Sequence, residues 1–173
     1  MRADIDAIRG AGLAGVVIGA SRSDGALDEE MLRHLCGHAR GLGVTLHRAF
    51  DLVPDFTAAT EVATGLGIER ILTSGGASSA PAGITALSAI YEAARGRISI
   101  MPGGGLTVSN VGALLNAVPV SEVHSSCSVP RATPDRRAID LRLAESSHRR
   151  TSADVVAEFQ MALKNWTQAE SEP

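Results

Sequence analysis

Four stretches of the chain end in residues that can do chemistry: His47-Arg48-Ala49-Phe50-Asp51, Thr73-Ser74-Gly75, Met101-Pro102-Gly103-Gly104-Gly105 and His124-Ser125-Ser126-Cys127. The histidines are candidate general acids or bases, and Asp51 is a group that orients a histidine or binds a polar substrate atom. Arg48 suits a carboxylate or phosphate. The Gly103–Gly105 run lets backbone N–H groups approach an anion closely, and a helix capped by Ser109 or Asn110 would add a favourable field. The spacing fits neither the P-loop nor the dinucleotide fingerprint, and a tight turn explains it equally well.

These residues need a scaffold that brings them to one rim. Short apolar runs at 14–19, 44–50, 68–73, 98–101 and 120–125 read as strands. Between them lie amphipathic segments with helix signals: Asp28 as an N-cap, Gly41 and Gly43 as stops, and Pro81 in a first turn. A helix precedes the first strand. Five strands alternating with helices imply an α/β fold with a parallel sheet, either doubly wound or part of a barrel. In both, ligands bind at the carboxyl ends of the strands, where the four stretches fall. Alternation along an unbroken strand places His47 and Asp51 on one face.

Residues 128–153 break the rhythm. They hold Pro130, Pro134 and the arginines Arg131, Arg136, Arg137, Arg142, Arg149 and Arg150. The segment reads as an exposed loop with one helical turn. A final helix is expected over 154–166, and the tail 167–173 is expected to be disordered.

The bulk numbers narrow the function classes. The 173 residues suffice for one core, and 45% are apolar. A net charge of −3 and 3% aromatic residues argue against nucleic-acid binding. No apolar run is long enough to span a membrane, and the charged N-terminus is not a signal peptide. Cys36 and Cys127 lack CxxC spacing and suit a reducing, cytoplasmic compartment.

The stretches VTLHRAFD, ERILTSG, ISIMPGGG and EVHSS, with AGVVIGASRSDGALD upstream, stand in the order and spacing of the CutC family, named for copper homeostasis. The chain resembles that family from about Asp4 to Ser126. The resemblance implies a TIM-type (β/α)8 barrel. Such a barrel has eight strands and roughly 250 residues. The chain offers about five βα units and starts at what looks like the family's third helix. An incomplete barrel over residues 1–127 is therefore expected, with open strand edges that favour self-association into a homo-oligomer.

The family name implies copper as a ligand. Soft donors near the rim are Met101, His124 and Cys127, with His47 as a further imidazole. Cys36 sits in a helix and is expected to pack. The cysteines discussed as copper ligands in the family lie in its first strands, so the copper site does not carry over residue by residue. The competing reading is a rim that binds a small phosphorylated or carboxylated metabolite, with His47, Arg48, Asp51, Thr73, Ser74, Gly75, Gly103, Gly104, Gly105, His124 and Ser125 as candidates. A third is an inactive remnant whose motifs only pack the sheet.

Overall fold

The computed structural model describes residues 1–131, 135–142 and 149–169. They form two compact units, Met1–Leu106 with Ala113–His124, and Thr107–Gly112 with Ser125 onward.

The first unit alternates helix and strand: α1 (Arg2–Gly10), β1 (Gly15–Ile18), α2 (Glu29–His38), β2 (Gly43–Leu46), α3 (Phe56–Gly65), β3 (Arg70–Thr73), α4 (Ile84–Ala94), β4 (Ser99–Pro102) and α5 (Val111–Ala117), whose first two residues belong to the second unit. Asp28 and Asp55 start α2 and α3 by accepting the N–H groups of Met31 and Ala58 at 2.9 and 3.0 Å. The four strands are parallel in the order β1-β2-β3-β4. Sequence neighbours are sheet neighbours throughout, without the reversal that marks a doubly wound sheet.

The pleat divides the strand residues between two environments. Val16, Ile18, Val44, Leu46, Ile71 and Ile100 are buried together with the helix residues Leu32, Leu35, Leu87 and Ile90. On the opposite parity Val17 is 62% exposed, and Leu72 and Met101 are half-buried. That face carries a polar belt. Register places Arg70 beside Thr45 on one side and Ser99 on the other. Arg70 donates to both Glu122 carboxylate oxygens, through Nε and, at 2.6 Å, through Nη2. Its Nη1 reaches Thr45 Oγ1 at 3.3 Å, and Ser99 Oγ donates to Glu122 at 3.1 Å. The Arg70 bonds hold the Glu122 carboxyl below the ordinary glutamate range against the opposing effect of burial.

Two expectations for this unit need correction. The strand expected over 44–50 stops at Leu46, and Arg48–Leu52 form a 3-10 turn. The fifth strand, expected over 120–125, is reduced to a single parallel bridge between Gly103 and His124. The His124 N–H donates to Pro102 O at 2.8 Å, but Pro102 has no N–H with which to extend the pairing to the residues before His124, so no ladder develops.

In the second unit the expected loop contains an antiparallel ribbon. Strand β5 (Ser128–Pro130) pairs with β6 (Arg149–Thr151), placing Val129 opposite Arg150. The one helical turn is α6 (Arg136–Asp140), capped by Asp135. The six arginines are exposed, and Arg149 is tied to Ser128. Pro134 lies outside the described residues. The last helix, α7, runs Ala153–Ala169, longer than expected, and 170–173 lie outside the described residues. No helix among the described residues is long and apolar enough to cross a membrane.

Candidate rim site

The ends of β2 and β3 converge on one carboxylate. His47 ends β2 in extended conformation, and its Nδ1 accepts the Ala49 N–H at 3.0 Å. That bond caps the 3-10 turn and leaves the proton of a neutral imidazole on Nε2. Residues three apart on such a turn are eclipsed, so Arg48 and Asp51 stand side by side. Phe50 is buried and packs against Phe56 at a ring separation of 5.5 Å, which anchors the turn.

The Asp51 side chain is 8% exposed. It accepts Arg48 Nε at 2.6 Å, Thr73 Oγ1 at 2.6 Å, the Ser74 N–H at 3.0 Å and the Gly76 N–H at 3.1 Å. Burial pushes this carboxyl up, but the bonds from Thr73, Arg48, Gly76 and Ser74 outweigh it and hold the group below the ordinary aspartate range. Arg48 Nη2 donates to Ser74 Oγ at 2.6 Å and Ala77 O at 3.3 Å. The Ser74 hydroxyl has one proton and two acceptors within reach, Ala77 O at 2.6 Å and Asp51 Oδ2 at 3.1 Å.

The glycine loop closes over this cluster. Gly104 has φ +100° and passes its carbonyl to the Ala80 N–H at 2.8 Å. A Cβ on Gly104 would stand 3.0 Å from Arg48 Nη1 and 3.4 Å from its Cζ. The guanidinium therefore lies over the bare α-carbon. At Gly103 a Cβ would meet Leu72 Cδ1 at 2.5 Å and His124 Cβ at 3.2 Å.

Arg48, Asp51, Thr73, Ser74 and Gly104 thus form one cluster. Thr73, Ser74 and Gly75 are buried, so they support Asp51 from behind. The pairing of Asp51 with a histidine, which strand alternation suggested, is replaced by the pairing with Arg48, because the 3-10 turn ends the alternation. His47 instead seats its ring on Gly19, where a Cβ would fall 2.2 Å from its Cε1. Gly105 is exposed and His124 borders Gly103, whereas Ser125 belongs to the second unit. The Gly76 N–H and the Ala77 carbonyl were not foreseen. Their signal was the Gly75-Gly76 pair after Ser74, which marks a backbone free to fold back on a neighbouring side chain.

The soft donors Met101, His124 and Cys127 do not all belong to one unit. Met101 and His124 belong to the first unit, and buried Cys127 to the second. Cys36 is half-buried in α2, and burial raises its thiol pKa. The described residues contain no group of three or more His, Cys, Asp or Glu able to hold a metal ion.

Comparison with known proteins places this geometry in a family. A family model described as the CutC family matches residues 1–129. A family protein CutC of Sinorhizobium medicae is 55% identical over 163 residues, covering 94% of this chain and 66% of that protein. The human copper homeostasis protein cutC homolog is 44% identical over 131 residues, covering 76% of this chain and 48% of its own length. The crystal structure of CutC from Streptococcus agalactiae superposes with a TM-score of 0.68 at 29% identity, covering 71% of this chain and 60% of that one. A native KDPGal structure gives 0.63 at 16% identity, over 97% of this chain and 66% of that one, a likeness of fold alone. The chain thus spans about two thirds of the length of the bacterial relatives. By sequence and by fold alike, the chain belongs to the CutC family.

Proposed function

We propose that β1–β4 are one side of a TIM-type barrel and that their carboxyl-terminal rim binds a small anionic metabolite, phosphorylated or carboxylated. The observation that carries this reading is the Arg48 guanidinium, fixed by Asp51 and Ser74 and aimed at a glycine with no side chain. A held arginine beside a bare backbone is an arrangement that recognises oxyanions. The unreversed strand order and the polar belt on the exposed face support the barrel, since that face would be its interior.

The copper homeostasis in the relatives' names enters as an association. Direct copper coordination has weaker support, because the described residues contain no group of three or more His, Cys, Asp or Glu able to hold a metal ion. The test is thermal unfolding in acetate, phosphate or sulfate against sodium chloride of equal ionic strength. At least one of the three is expected to raise the melting temperature of the wild type. Gly104→Val is expected to abolish the gain, since a side chain there displaces Arg48. Equal melting temperatures in all four salts would refute the anion reading.

A further inference from the structure

The rim cluster also limits the charge its ligand can carry. Arg48 has five N–H donors. Nε is engaged by Asp51, and the two Nη2 hydrogens face Ser74 Oγ and Ala77 O. Both Nη1 hydrogens lack a partner among the described residues. A ligand therefore meets one edge of a guanidinium whose other edge is already bound.

The net charge of the cluster matters as much as its donors. Asp51 lies 2.6 Å from Arg48 Nε and is held ionised, so the pair is neutral overall. Arg48 is the only cation in this bonded cluster among the described residues. The pull of such a pair on an anion grows in proportion to the anion's charge. The cost of removing the anion from water grows with the square of that charge. Doubling the charge doubles the gain and quadruples the penalty. Nor does the glycine loop feed directly into a helix terminus, because α5 begins at Val111, beyond Gly105. Phosphate sites on such rims rely on that extra field.

We infer that the rim takes a singly charged carboxylate in preference to a phosphate monoester dianion, an inference that rests on the anion-site reading above. A carboxylate group matches the two free Nη1 hydrogens beside the bare Gly104 α-carbon, while the rest of the ligand is left uncharged.

The experiment titrates the wild-type chain with acetate and with methyl phosphate at pH 7.5 and constant ionic strength, following backbone and arginine side-chain resonances by NMR. At that pH a phosphate monoester is a dianion. The expected result is saturable shifts at Gly104 and Arg48 with acetate, and at least tenfold weaker binding of methyl phosphate. Arg48→Gln should remove the acetate response, and the wild-type map localises the site even if that variant folds poorly. Methyl phosphate binding as tightly as acetate, or more tightly, would overturn the carboxylate preference and leave the anion site standing. No localised shift with either probe would overturn both.

Discussion

The Asp51 carboxylate takes Arg48 Nε at 2.6 Å from its own turn and Thr73 Oγ1 at 2.6 Å from the end of the next strand. One buried group thus joins β2 to β3 and fixes the cation that faces the glycine loop.

Removing that group leaves donors without acceptors. Asp51→Ala strips the main acceptor from Thr73 Oγ1, the Ser74 N–H and the Gly76 N–H, and a stranded buried donor costs about 1–3 kcal/mol. The expected loss in urea unfolding is about 3 kcal/mol in total. Asp51→Asn keeps one acceptor oxygen and should lose about half as much. A loss within experimental error for Asp51→Ala would mean that the network is not formed in solution.

Gly104 is constrained twice, by φ +100° and by Arg48 Nη1 at 3.0 Å from any Cβ. Backbone strain of this kind costs about 2 kcal/mol. Gly104→Ala should therefore destabilise the chain by about that amount and weaken anion binding as well. Retention of full anion response in Gly104→Ala would show that Arg48 is not seated over the loop.

Acid should act through two depressed carboxyls. Asp51 and Glu122 both lie below their ordinary values in the folded chain. Each contributes stability that is present above the unfolded value, about 4, and that fades as pH falls through the folded value. The unfolding midpoint should stay level from neutral pH to about pH 5 with respect to these groups, then drop below about pH 4. Glu122→Gln should make that drop shallower. An unchanged acid slope in Glu122→Gln would remove Glu122 from the account.

The open sheet face predicts self-association. Val17 is 62% exposed at mid-strand, and β1 has only β2 as a neighbour among the described residues. An unpaired, apolar strand edge recruits further chains. Light scattering should show concentration-dependent oligomers that Val17→Lys reduces. A wild-type monomer at every concentration tested would contradict this.

Copper gives a separate check. If Cys127 is an ordinary buried thiol, Cu(I) titrations of the wild type and of Cys127→Ala should give the same stoichiometry. Loss of one equivalent in the variant would restore the direct copper reading.

The sequence by itself determined the first four strands, the helices between them and the family. The spacing of Val16 and Ile18, of Val44 and Leu46 and of Ile98 and Ile100 marks strands, and Asp28 marks a helix start, because burial period and capping are local properties. The stretches HRAFD, TSG and MPGGG announced one rim, since strand ends in parallel folds share a side.

The tertiary structure decided which rim residues meet. Alternation placed His47 and Asp51 on one face, but a histidine that caps its own turn ends the strand after Leu46 and turns Asp51 toward Arg48. The weakness of the fifth strand depends on Pro102 lying where an N–H is needed to extend the ladder, which no reading of 120–125 alone contains. The 128–130 and 149–151 ribbon pairs residues far apart in sequence, and its arginines concealed the strand pattern. Local chemistry is written in the order of residues. Which donor finds which acceptor across strands is set only when the chain packs.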